Sequence, residues 1–129
     1  MGHVLVVDDI PAVRDLFADI LKHAGHTSQT ASDALEAAQL LERTAFDAAI
    51  IDIFMPVIDG LEIVRTWRET YPRMGLLAIS GGGPLIEGKD VLALAEELGA
   101  AATLRKPVDA TRLLGVLKAL LTPPTEHPN

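Results

Sequence analysis

Short apolar, β-branched runs alternate along this chain with longer stretches whose apolar residues recur every three or four positions. Val4–Val7 and Ala48–Ile51 are unbroken apolar runs, the pattern of strands buried on both faces. Leu76–Ile79 and Ala102–Arg105 predict two more strands, and His26–Thr30 a weaker one nearer a sheet edge. Pro11 suits a first helical turn, where its missing N–H costs nothing. From there the spacing predicts a helix to about Ala24, with Val13, Leu16, Phe17, Ile20 and Leu21 on one stripe and Gly25 as the stop. Ser32 or Asp33 can cap a second helix, Ala34 to about Thr44. The loop Phe54–Gly60 leads to a third, about Leu61–Thr70. A Gly-rich loop, Ser80–Gly88, precedes a fourth that ends at Leu98 before Gly99, and Asp109 or Thr111 opens a fifth that reaches Leu121.

Five strand–helix units in alternation predict an α/β fold with a parallel sheet covered on both faces. Right-handed crossovers make it a doubly wound sandwich. The expected arrangement is flavodoxin-like, with five strands in the order 2-1-3-4-5 and five helices, and a switch point between strands one and three. A length of 129 residues suits one domain with one sizeable core. That domain is expected over residues 1–121, followed by a Pro-rich, disordered tail over 122–129.

Composition narrows the function classes. A net charge of -7, with scattered Lys and Arg, argues against a nucleic-acid surface. The absence of cysteine excludes disulfides, thiolate metal sites and Cys nucleophiles. The start reaches an acid at Asp8, too soon for a signal-peptide apolar region, and no apolar run is long enough to span a bilayer. A cytoplasmic protein without membrane contact is the expectation.

The candidate chemistry lies just after the strands. Asp8-Asp9 follows the first, Asp52 the third and Lys106-Pro107 the fifth. In an open parallel sheet the C-terminal strand ends converge on one crevice. Three carboxylates and one ammonium would share it, and acids that close repel each other and call for a cation.

With Val7-Asp8-Asp9, Asp52-x-x-Met55-Pro56-x-x-Asp59-Gly60, Ser80 after strand four and Lys106-Pro107 after strand five, the chain resembles the receiver domain of two-component response regulators from Val4 to about Leu121. Each piece alone is weak, but all of them in order at the correct strand ends are specific. The resemblance implies that Asp52 is the phosphoacceptor, attacking a phosphohistidine or small acyl phosphate. It implies Mg²⁺ held by Asp9, Asp52 and the backbone carbonyl of Phe54, with Asp8 acting through a bound water. Lys106 would pair with phosphoryl oxygens, Ser80 would donate a hydrogen bond to another, and the Gly81 N–H would add one. A cis Lys106–Pro107 bond is also implied. Asp59-Gly60 reads mainly as a turn signal outside the chemistry.

The implied role is a stand-alone phosphoacceptor regulator rather than an enzyme, promoting its own phosphorylation and dephosphorylation. Its donor would be a histidine kinase or histidine phosphotransfer protein, and its output a protein–protein interaction with an unidentified downstream partner. The exposed face of the first helix would receive the donor. The wide stripe Leu113, Leu114, Val116, Leu117, Leu120 and Leu121 favours packing on the sheet over a homodimer face.

Two positions depart from the family pattern. Thr103 stands where many receivers carry a Tyr or Phe that swings inward on activation, so a different surface change is expected, routed through the Gly81–Gly88 loop. Val108 replaces an aromatic often found after Lys-Pro, and with Phe54 near Asp52 the reading is reduced water access and slow dephosphorylation.

Other readings remain. A phosphorylation-independent binding module on the same fold is the first alternative. The second is a small nucleotide-binding protein, because Gly83–Lys89 fits G-x-x-x-x-G-K. Asp90 then stands where Ser or Thr should reach Mg²⁺, and Glu87 would face the phosphates, which argues against it. His3, His23, His26 and His127 lack metal-ligand spacing, and His23 and His26 read as loop-flanking structure.

Overall fold

The structure is a computed structural model that describes residues 2–53, 57–81 and 90–121, with the backbone alone for 57–59. Elements run β1 (His3–Val7), α1 (Pro11–His23), β2 (Thr27–Ala31), α2 (Ala34–Arg43), β3 (Ala48–Asp52), α3 (Val57–Thr70), β4 (Gly75–Ser80), α4 (Val91–Leu98), β5 (Ala102–Arg105) and α5 (Ala110–Leu121). All strand pairings are parallel, and the sheet order is β2-β1-β3-β4-β5. This is the doubly wound order the alternating pattern predicts.

Side chains alternate across each strand, so one apolar run feeds two cores. Val4, Val6, Ala48, Ile50, Leu77 and Ile79 pack under α1 and α5 with Phe17, Leu21, Leu113 and Leu117. Leu5, Val7, Ala49, Ile51, Leu76 and Ala78 pack on the opposite face with Ala37, Leu41, Val64, Trp67, Leu92 and Ala95 of α2, α3 and α4. On α5, Val116, Leu120 and Leu121 also pack against the first of these cores, in keeping with the sheet-packing reading of that stripe. The α1 stripe is narrower than expected. Leu16 is 51% exposed, since at 100° per residue it falls outside the arc shared by Val13, Phe17, Ile20 and Leu21.

Helix ends follow local chemistry. Asp33, rather than Ser32, caps α2, accepting from the Glu36 N–H at 2.8 Å. Glu36 reaches back one residue further, accepting from the Ser32 N–H at 2.6 Å, so its side chain also ties down the segment that enters the helix. Asp109, rather than Thr111, caps α5 by accepting from the Arg112 N–H at 2.8 Å. Gly99 closes α4 at φ 124°, a backbone region that side chains rarely adopt.

The largest departure from expectation is at α3. The helix begins at Val57, not near Leu61, so Gly60 lies within its first turns rather than in a preceding turn. A Cβ at Gly60 would stand 2.7 Å from Ile53 Cα and 2.8 Å from Ile53 O. Glycine is required there for close approach of α3 to the end of β3, not for a turn. Strand β3 in turn extends to Asp52, because Asp52 pairs with Ile79 and the Ile53 N–H donates to Ile79 O at 2.9 Å.

Candidate functional site

Sheet register brings the site together. Val7 pairs with Ile51, so Asp8 lies beside Asp52. Asp52 pairs with Ile79, which sets Ser80 one step further along β4. Ser80 pairs with Arg105, which sets Lys106 one step beyond that. The Lys106 N–H donates to Ser80 O at 2.8 Å, fixing the chain just past β5. The Lys106–Pro107 bond is cis.

Asp8, Asp52 and Ser80 are buried polar residues, while Asp9 is exposed at the mouth. Carboxylate oxygens of Asp8, Asp9 and Asp52 lie within 4.8 Å of one another. Lys106 Nζ is 3.3 Å from Asp52 Oδ2 and 3.5 Å from Asp8 Oδ2. Two like charges about 4 Å apart repel by roughly 4 kcal/mol at an effective dielectric near 20, so one ammonium among three acids leaves the cluster short of positive charge. The Asp8 carboxyl is pushed up from 3.8 to about 6, first by burial and then by the neighbouring Asp52 charge, against the opposing Ile10 N–H and Lys106.

Asp8 Oδ1 accepts from the Ile10 N–H at 2.9 Å, whereas Asp8 Oδ2 is buried and accepts no hydrogen bond. A buried carboxylate oxygen that accepts no hydrogen bond, with only the Lys106 ammonium at 3.5 Å, and that lies beside two further carboxylates fits a hard cation or its bound water, and an all-oxygen donor set fits Mg²⁺. Such an ion would offset the like charges and polarise an incoming anion.

Of the residues expected in the site, Asp8, Asp9, Asp52, Ser80 and Lys106 are brought to one end of the sheet, with the exposed Gly81 beside the Lys106 stem. Phe54, Met55 and Pro56, the Gly83–Lys89 motif and the 122–129 tail lie outside the described residues. Asp90, the residue after that motif, caps α4 by accepting from the Leu92 N–H at 3.0 Å and forms an ion pair with Arg105. Thr103 Oγ1 donates to Glu96 Oε2 at 3.4 Å, so the polar side chains of β5 tie it to α4. His26 Nδ1 accepts from the Gly2 N–H at 3.1 Å and the His3 ring stacks on Phe46 at 4.6 Å, structural roles at the opposite end of the sheet.

Sequence reasoning missed Arg14. Its Nη1 donates to the Asp8 carbonyl at 2.7 Å. The available signal was a cation on the second turn of α1, directly after the acidic pair.

The described residues thus form an acidic crevice with one lysine at the switch point of a doubly wound sheet. The model of the response regulator receiver domain matches residues 4–118, and the chain belongs to that family. It is 34% identical over 128 residues to the response regulator MprA of Mycobacterium sp. (strain KMS), covering 98% of this chain and 54% of that protein. The Mycobacterium leprae MprA is 33% identical over 118 residues, covering 92% of this chain and 50% of that protein. The chain thus spans about half the length of these curated relatives. Among solved structures, a CheY-like receiver domain protein from Methanospirillum hungatei superposes with TM-score 0.83 at 28% identity, covering 94% of each chain. The receiver domain of NtrX from Brucella abortus superposes with TM-score 0.82 at 34% identity, covering 92% of this chain and 97% of that one. The family places the chain in two-component signal transduction. Among the described residues, no helix is long and apolar enough to cross a membrane.

Proposed function

We propose that this domain accepts a phosphoryl group on Asp52 from a phosphohistidine, with Mg²⁺ in the acidic crevice, and signals through protein–protein contact. The observation that carries the reading is the placement of Lys106 Nζ against both Asp52 and Asp8 at the head of three converging carboxylates. A carboxylate oxygen of Asp52 forms the new bond to phosphorus. The P–N bond breaks, and its electron pair stays on the imidazole, which takes a proton as it leaves. Lys106 neutralises phosphoryl oxygens as charge shifts onto them, the Ser80 hydroxyl donates to another, and the Gly81 N–H completes the cradle. Asp9, Asp52 and the Phe54 carbonyl would hold the ion, with Asp8 acting through its water.

Output in this reading uses the polar ties between β5 and α4 rather than an aromatic swing, because Thr103 has no ring to rebury. Val108, two residues past Lys106 and packed against the core under α1 and α5, goes in this reading with a slow return to the unphosphorylated state; a phosphoryl half-life of seconds would count against that.

Phosphoramidate tests the donor chemistry, since its P–N bond mimics phosphohistidine. The expected product is a hydroxylamine-labile acyl phosphate in the peptide containing Asp52, formed only with Mg²⁺. Acid-stable, hydroxylamine-resistant label, or label on another residue, would overturn the assignment.

A further inference from the structure

The β1–α1 turn carries both leading acids, yet α1 lacks a side-chain cap: Ile10 precedes it, and Pro11 opens it. The turn is instead fastened at Asp8. The Asp8 N–H donates to Ala31 O at 3.1 Å, Oδ1 accepts from the Ile10 N–H at 2.9 Å, and the carbonyl accepts from Arg14 Nη1 at 2.7 Å. Oδ2 accepts no hydrogen bond and lies 3.5 Å from Lys106 Nζ.

The Asp8 carbonyl belongs to the peptide plane that joins Asp8 to Asp9. A guanidinium bonded to that oxygen fixes the rotation of the plane, and with it the direction from which the exposed Asp9 enters the carboxylate cluster. The contact that Arg14 makes here is with a main-chain oxygen, so it acts on the geometry of the turn. A charge-assisted bond of this length is among the stronger ones available to a partly buried carbonyl.

We propose that Arg14 is a positioning residue for the cation site, holding the Asp8–Asp9 peptide so that the Asp9 carboxylate is presented to Mg²⁺. The proposal rests on the reading of the crevice as a Mg²⁺ site.

The test is calorimetric titration of Mg²⁺ into the wild type, Arg14→Met and Arg14→Lys, with thermal unfolding in EDTA for each. Loss of an outer fastener of a metal site costs roughly tenfold or more in affinity. Arg14→Met is expected to bind Mg²⁺ about tenfold more weakly. Its rate of phosphorylation by acetyl phosphate should recover at saturating Mg²⁺. Arg14→Lys, which keeps a charged donor on a long stem, should regain most of the affinity. Wild-type affinity in Arg14→Met would overturn the proposal. So would an affinity loss that Lys does not rescue and that tracks a large fall in melting temperature, which marks general damage to α1. A wild type that binds no Mg²⁺ would overturn the cation site itself, and is thereby told apart from a failure of Arg14 alone.

Discussion

Lys106 Nζ stands 3.3 Å from Asp52 Oδ2, although 54 residues separate the two in sequence. The side chain of Asp52 is 4% exposed and that of Lys106 25%, so the contact sits at the boundary between the sheet interior and solvent. The ammonium also touches Asp8, and its removal leaves adjacent buried acids unneutralised.

Lys106→Met should therefore keep the fold but slow phosphorylation of Asp52 by about a hundredfold, the usual loss for a charge-stabilising donor. Single-turnover transfer from acetyl phosphate at saturating Mg²⁺ measures this. A rate within twofold of wild type would show that the lysine neutralises Asp52 at rest but takes no part in transfer.

Asp8 makes stability depend on pH in an unusual direction. Its folded pKa is about 6 against an ordinary 3.8, so between those values the folded state holds more protons than the unfolded state. Its contribution to stability is present at low pH and lost as pH rises through about 6. In EDTA, Asp8→Asn should thus be more stable than wild type at pH 7.5, and the gap should shrink toward pH 4.5. Mg²⁺ requires the ionised carboxylate, so wild-type affinity should rise as pH passes 6. Melting curves across this range check the first point, and a gap that widens toward acid would contradict it.

Gly60→Ala places a methyl group against the backbone of Ile53, one residue beyond Asp52. The helix must move, at a cost of about 1–3 kcal/mol typical of overpacking. Phosphorylation should slow as well, because the displaced segment adjoins Asp52. Gly99→Ala is the matched control: its strain, at φ 124° and against Arg68, lies at the other end of the sheet. It should lower stability, read by urea unfolding, and leave the transfer rate unchanged.

Asp90 has two jobs in the described structure, as cap of α4 and as partner of Arg105. Asp90→Ala should cost about 1 kcal/mol through the cap, with little added by an ion pair this exposed. Because Asp90 lies outside the carboxylate cluster, phosphorylation should proceed at the wild-type rate. Hydrogen exchange of α4, compared with and without phosphorylation, is expected to lose its contrast in this variant if β5 signals through the Arg105–Asp90 contact.

The strands were legible because parallel pairing buries both faces, which leaves runs such as Val4–Val7 and Ala48–Ile51 with no polar residue. The acids were legible for a related reason: an Asp directly after such a run has to emerge at the strand's end. Gly60 was misread because Asp-Gly marks a turn in most settings, and only the packing of α3 on Ile53 gives the glycine its helical place. Leu16 was assigned inward because an apolar side chain next to Phe17 extends the stripe on paper, whereas the helix rotates it toward solvent. Arg14 escaped because a long cationic side chain can reach many partners, and its target is a main-chain oxygen that no side-chain pattern announces.

The most direct test is the intact mass of the protein after incubation with acetyl phosphate, in the presence and absence of Mg²⁺, beside Asp52→Asn. A gain of one phosphoryl group in the wild type with Mg²⁺, lost in both controls, is the predicted result. An equal gain in Asp52→Asn would move the chemistry to another residue. No gain in the wild type with saturating donor and metal, and none from a phosphorylated histidine donor, would contradict phosphoacceptor function and leave the fold as a binding module.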